Sequence, residues 1–206
     1  LAHKRGNSRT AFDDFNKAIM LDDRNTEAFC NRGALYFEQQ EWLLAMRDFD
    51  KAIKQDPYHS DSYRNRGSTY FKLKEPYKAI SDYTSAIKYN PSDIDAYCQR
   101  GIVYAAQDNL TNAVQDFTAA IILNPECATA YSWRGMVYHN MGKKEDCEKD
   151  LDMAIEFKTT NIVAIRFGAS IALSAGNYDR AIKYFAHWAD VDCTDATALF
   201  GLGSGY

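Results

Sequence analysis

The chain has little of what would tie a fold together covalently, hold it in a membrane or give it a reaction. Its five cysteines, Cys30, Cys98, Cys127, Cys147 and Cys193, are odd in number and widely spaced, with no Cys-x-x-Cys pair. That pattern points to free thiols in a reducing compartment rather than to disulfides or zinc. No apolar run approaches the ~20 residues that cross a bilayer, and no leader pattern is present, so a cytoplasmic, non-membrane protein is expected. The 24 Lys/Arg and 28 Asp/Glu residues alternate, for a net charge of −4. Without a basic block to track a phosphate backbone, nucleic acid is not an expected partner. His3, His59, His139 and His187 each stand alone, with no second ligand at i+3 or i+4, so neither a metal nor another cofactor is expected. Gly201-Leu202-Gly203-Ser204-Gly205 lacks the lysine of a phosphate loop. No Ser/His/Asp or Cys/His arrangement emerges, and no catalysis is expected of these residues.

What the chain does have is a period. Arg32-Gly33…Tyr36, Arg66-Gly67…Tyr70, Arg100-Gly101…Tyr104 and Arg134-Gly135…Tyr138 recur every 34 residues. An aromatic stands four residues before each glycine, at Phe29, Tyr63, Tyr97 and Tyr131. Further columns hold Ala45, Ala79, Ala113 and Cys147; Phe49, Tyr83, Phe117 and Leu151; and Ala52, Ala86, Ala120 and Ala154. Pro57, Pro91 and Pro125 close three copies. The spacing Phe29, Arg32/Gly33, Tyr36 is one stripe of an α-helix, and Ala45, Phe49, Ala52 is the same stripe on a second. The short polar segment between them leaves room only for a tight turn between antiparallel helices. Small residues at Gly33 and Ala45 let the two helices approach closely.

This arrangement resembles the tetratricopeptide repeat, W-x2-L-G-x2-Y…A-x3-F…P, with Phe29 for Trp and Arg32 for Leu. The resemblance implies an all-α fold, a right-handed superhelical solenoid of antiparallel helix pairs. Counted from Thr26, full repeats are expected at 26–59, 60–93, 94–127, 128–161 and 162–195, with partial ones at 1–25 and 196–206, as a single array. Both ends fall inside a repeat, as in a piece of a longer protein. The later copies drift, with Thr159 for Pro, Ala169 for Gly, Ala172 for Tyr and Trp188 for Ala, so stacking beyond 162 is expected to be less regular.

Arginine in place of leucine travels with an aspartate sixteen residues on, at Asp48, Asp82, Asp116 and Asp150. Where Gly168 replaces the arginine, Tyr184 replaces the aspartate. The covariation predicts a partly buried, bidentate pair between the two helices of one repeat. The sequence leaves two alternatives. Asp14, Asp48 and their equivalents could reach the arginine of the following repeat, or the arginines could form a ladder for acidic ligands.

In the family the first helix of each repeat lines a concave groove, and the resemblance carries that role to specific positions. Two before the glycines lie Asn31, Asn65, Gln99, Trp133 and Phe167; three before lie Cys30, Arg64, Cys98, Ser132 and Arg166. Just after lie Ser68, Ile102 and Met136, and four after lie Phe71 and His139. The expected partner-binding set is Asn31, Arg64, Asn65, Ser68, Phe71, Gln99, Ile102, Trp133, Met136 and His139. Carboxamides suit an extended peptide backbone, and the apolar stretch suits a helix face or an anchor residue. The cationic clamp of co-chaperone arrays for heat-shock carboxylate tails is missing in both registers: Cys30, Ala34, Asn65, Asp95 and Gln99, or Arg64, Ser68, Gln99, Thr129 and Trp133. The expected function is a non-catalytic protein- or peptide-binding scaffold. The alternatives are a substrate-recruiting region of an enzyme whose catalytic domain lies elsewhere, and self-association through Leu199, Phe200, Leu202 and Tyr206.

Overall fold

The computed structural model describes residues 2–195 and 197, and those residues form helices and no strands. Leu199, Phe200, Leu202, Gly203 and Tyr206, the residues expected to serve self-association or a further repeat, lie outside the described residues. In order the helices are α1 (Ala2–Leu21), α2 (Thr26–Glu38), α3 (Trp42–Gln55), α4 (Ser60–Lys72), α5 (Pro76–Tyr89) and α6 (Ile94–Ala106), then α7 (Leu110–Leu123), α8 (Ala128–Asn140), α9 (Lys144–Glu156), α10 (Ile162–Ser174) and α11 (Tyr178–Val191). The chain divides between Val103 and Tyr104 into two compact units. In the first, α2 pairs with α3 and α4 with α5; in the second, α8 pairs with α9 and α10 with α11.

Each hairpin is closed by the same turn. Gln40, Lys74, Asp108, Gly142 and Gly176 take left-handed φ of 63, 63, 59, 73 and 70°. The next residue's N–H donates back across the turn at 2.9 Å, Glu41 to the Tyr36 carbonyl, Glu75 to Tyr70, Asn109 to Tyr104, Lys143 to Tyr138 and Asn177 to Ala172. This six-to-one bond satisfies a helix-end carbonyl and reverses the chain. Three of the five turns place a side chain where left-handed geometry costs about 1–2 kcal/mol. Lys74→Gly is therefore expected to raise stability by roughly 0.5–1 kcal/mol after the entropic cost of glycine, read as a higher thermal midpoint.

The second helices end differently with and without proline. α3, α5 and α7 stop two residues before Pro57, Pro91 and Pro125. α9 stops at Glu156 through left-handed Lys158 (φ 55°), after which the Thr159 N–H donates to the Ala154 carbonyl at 2.9 Å. The buried Thr159 hydroxyl lies 2.8 Å from Ser132 Oγ, and the Thr159 carbonyl lies 2.7 Å from His187 Nε2. Restoring the repeat's proline with Thr159→Pro removes the donor and the hydroxyl, and opposes a left-handed residue before proline. Urea unfolding of that variant should show a loss of more than about 2 kcal/mol.

Inside each hairpin the recurring small residues meet large ones. A Cβ on Gly33 would come within 2.7 Å of the Phe49 ring, whose side chain is fully buried. Only glycine allows that approach, and the lost helix propensity, about 0.5–1 kcal/mol, is offset by the packed ring. Phe29, Cys30, Ala45, Phe49 and Ala52 form one apolar cluster of the first unit, with Ile19, Tyr36 and Phe37 against it. In the second unit the drifting columns exchange volume rather than lose it. Trp188 and Tyr184 share one cluster with the small Ala169 and Ala172, and α10 and α11 remain paired. The looser stacking expected after 162 shows instead at the junction before this hairpin, where α10 touches α9 less extensively than α4 touches α3 or α8 touches α7.

The arginine column staples three helices together. Arg32 donates from Nε and Nη2 to Asp48 at 2.7 Å each; Arg66 does so to Asp82 at 2.7 and 2.8 Å; Arg134 does so to Asp150 at 2.6 and 2.9 Å. These are the bidentate pairs within one hairpin that the covariation predicts. Arg100 belongs to the first unit and Asp116 to the second. The remaining nitrogen, Nη1, reaches back sixteen residues, to Asn16 at 2.8 Å, Asp50 at 2.7 Å, Thr84 at 2.9 Å and Thr118 at 3.0 Å. The link to the preceding hairpin therefore runs through this column and not through Asp14 or Asp48. Aromatic rings flank the guanidinium: Phe29 and Tyr36 lie 5.6 and 6.0 Å from Arg32, Tyr63 and Tyr70 5.5 and 5.9 Å from Arg66, and Tyr131 and Tyr138 both 5.6 Å from Arg134. Burial pushes the Asp82 carboxyl above the usual carboxylate range, against the pull of Arg66. Burial works against the charge on Arg66 as well, and its bonds to Asp82 and Asp50 more than restore it. With these partners committed, the arginines do not form a ligand ladder.

Candidate partner-binding surface

The expected site residues all stand on first helices. In the first unit they lie on α2, α4 and α6. Asn31 is exposed, while Asn65, Gln99 and Ile102 are half-buried. Asn65 Nδ2 donates to Cys30 Sγ at 3.6 Å, which joins α2 to α4. Among the described residues, neither Asn31 nor Gln99 uses its carboxamide on another side chain.

Arg64 and Ser68 are more committed than their positions suggested. Arg64 donates from Nε to Asp93 at 3.0 Å and from Nη2 to Asp61 at 2.9 Å. Ser68 Oγ donates to the Arg64 carbonyl at 3.1 Å and accepts from the Tyr83 hydroxyl at 3.0 Å. Phe71 packs on the Ala79, Tyr83 and Val103 cluster, so only part of its ring is available. The column three before the glycine needs a correction. Cys30 and Cys98 are each 3% exposed and Ser132 is 0%, so they face the neighbouring helices rather than a groove. A first helix packs on both sides, which narrows its free face to less than the stripe assumed from the period. Burial pushes the Cys30 thiol up, and it pushes Cys147 up to about 11, so both stay as the unreactive thiol.

In the second unit Trp133 is half-buried on α8. Met136 and Phe167 pack against the Leu151 and Ile165 cluster, so Phe167 belongs to core more than to a binding face. His139 is exposed and meets the edge of Phe167 at 4.8 Å between centroids. Beside it lies a pocket of about 240 Å³, lined by His139, Gly142, Lys144, Cys147, Ile171 and Ser174. The sequence offered no signal for this pocket, because its wall is the turn glycine and its floor comes from another helix pair. His59, alone in the sequence, has its ring nitrogens 2.8 Å from Ser62 Oγ and 3.0 Å from Glu27 Oε1. Among the described residues no group of three or more His, Cys, Asp or Glu side chains is placed to hold a metal, and no helix is long and apolar enough to cross a membrane.

Two family models, both described as tetratricopeptide repeat, match residues 60–93 and 98–155. The chain carries tetratricopeptide repeats. Solved structures with the same fold include PilW, a type IV pilus biogenesis factor, with a TM-score of 0.80 at 19% identity, covering 98% of this chain and 93% of PilW. MamA is similar at 25% identity, with a TM-score of 0.67 and coverage of 80% and 96%. The first tetratricopeptide domain of Spaghetti, solved with an HSP90 peptide, is 28% identical, with a TM-score of 0.57 and coverage of 59% and 96%. No curated protein matches the chain in sequence.

Proposed function

We propose that these repeats form a non-catalytic scaffold that binds a protein or peptide through the free face of the first helices. The observation that carries the reading is the row of carboxamides in the first unit, Asn31, Asn65 and Gln99, with Ile102 beside it on α6. An amide both donates and accepts, so a row of them suits an extended peptide backbone whatever its side chains. In the second unit Trp133, with His139 and its adjoining pocket, suits an apolar anchor.

The heat-shock peptide of the Spaghetti domain is not carried over. Of the clamp positions in either register, Arg64 is the one that brings a cation, and Asp61 and Asp93 hold it. The test is capture of partners on immobilised protein and on an Asn31→Ala/Gln99→Ala variant with the same melting temperature. Partners should be lost or weakened at least tenfold on the variant. Equal recovery on both would remove the first-helix face from consideration.

A further inference from the structure

A place that the first unit fills with a phenylalanine ring lies open in the second. Phe71, at the end of α4, packs on Ala79 and Tyr83 of α5 and on Val103 of α6. Two periods on, these positions are His139, Cys147, Leu151 and Ile171. The contacts of Phe71 give that exchange its meaning. His139 does not cover the equivalent floor; it is exposed and stands edge-to-face with Phe167, at 4.8 Å between centroids and 89° between planes. The result is the pocket of about 240 Å³ between the ends of α8 and α10 and the start of α9, with His139, Cys147 and Ile171 among its walls. All of these walls belong to two complete hairpins, α8 with α9 and α10 with α11. In the first hairpin two aromatics meet at the same positions, Phe37 and Trp42 at 5.0 Å between centroids. Three periods on they are His139 and Lys144, both on the pocket.

We propose that this pocket binds a phenylalanine side chain of a partner peptide, with an acidic residue beside that phenylalanine meeting Lys144. The first unit states the shape. There the chain itself lays a phenylalanine ring on the equivalent floor, so a ring delivered from outside finds the packing that Phe71 finds. Cys147 and Ile171 make the floor apolar, and Gly142 in the turn adds no side chain to the wall. Charge states the neighbour. No lining residue carries a carboxylate, and Lys144 is 70% exposed, with Glu148 4.0 Å away and itself held by Arg180. The ammonium is therefore open to a second carboxylate at the rim, a smaller contribution than that of the buried ring. This inference rests on the reading of the first-helix face as a protein-binding surface, and it names what the second unit takes.

The probe is acetyl-Gly-Phe-Asp-Gly-amide, titrated into the whole chain with isotope-labelled isoleucine methyl groups and followed by NMR. Saturable shifts of the Ile171 methyl signals are expected. Alanine for the peptide's phenylalanine should weaken binding at least tenfold. His139→Phe should do the same in a chain that melts no lower than wild type, because it supplies the ring from within as Phe71 does. Lys144→Gln, at an exposed position, should keep the melting temperature and weaken binding about threefold, after which asparagine for the peptide's aspartate should change nothing more. The proposal is overturned by the absence of a saturable shift at Ile171. It is equally overturned by binding indifferent to the peptide's phenylalanine, to His139→Phe, or to both Lys144→Gln and the loss of the aspartate. Partner capture on Asn31→Ala/Gln99→Ala reads the carboxamide row of the other unit, so that reading and this one fail separately.

Discussion

Gly168→Arg alone should cost the second unit more than about 4 kcal/mol, and adding Tyr184→Asp should return most of that loss. Position 168 is where the arginine column breaks, and the space is filled from the opposite helix. A Cβ on Gly168 would lie 2.2 Å from Tyr184 Cε1, and Tyr184 is 2% exposed. The tyrosine hydroxyl donates to Asp152 at 3.0 Å, the residue sixteen positions before Gly168. The ring thus makes from α11 the backward link that an arginine makes from the first helix in the other hairpins. Arginine introduced alone meets a ring that cannot leave; Tyr184→Asp alone buries a carboxylate with no cation. Together they rebuild the bidentate pair, with Asp152 available to Nη1. Recovery should stop short of wild type, because Ile165 and Ala172 stand where flanking aromatics would be, and Arg180 already holds Asp152. Urea unfolding of the four proteins decides the matter. A double variant no more stable than the worse single would show that the two columns are unrelated.

Arg66→Leu should destabilise the first unit by about 3–5 kcal/mol, while Arg66→Leu with Asp82→Leu should lie near wild type. The asymmetry follows from burial. Asp82 is 5% exposed and its two carboxylate oxygens are both bonded to Arg66, so losing the cation strands a charge rather than merely removing a bond. The pH dependence has a definite sign. Burial already holds the folded carboxyl above its ordinary value, and removing Arg66 raises it further. An acid whose folded pKa lies above its unfolded value, about 3.9, loses stability as pH rises through that interval. The deficit of Arg66→Leu should therefore shrink as the pH falls toward the unfolded value. A deficit that is unchanged between neutral and acidic pH would assign the effect to packing around Tyr63 and Tyr70 instead.

The fold was legible because its determinants repeat. Gly33 and Phe49, or Gly67 and Tyr83, recur at one spacing, and a contact used many times leaves a column. The pairing of Arg32 with Asp48 was legible for the same reason. Its reach to Asn16 was not, since that column mixes Asn16, Asp50, Thr84 and Thr118, and only geometry shows that an amide, a carboxylate and two hydroxyls do one job. The aromatic flanks were visible as residues, but their place over the guanidinium was hidden because an aromatic at helical spacing also reads as core. At the candidate site the period correctly placed Asn31 and Asn65 on first helices. It erred on Cys30, Cys98 and Ser132, since a period assigns a helix face without saying how wide the neighbouring helices leave it.

The mixed column that receives Nη1 has a consequence for cooperativity. In a linear array, folding is described by the intrinsic stability of each repeat and a nearest-neighbour coupling between adjacent ones. Here one side chain per junction contributes to that coupling, and its chemistry changes along the chain. Asp50 meets Arg66 as an ion, Asn16 meets Arg32 as a neutral amide, and Thr84 and Thr118 meet their arginines as hydroxyls. Within each unit, successive hairpins are thus joined by unequal bonds. Salt should weaken the Asp50 junction while sparing the threonine ones, so ionic strength selects which repeats open together.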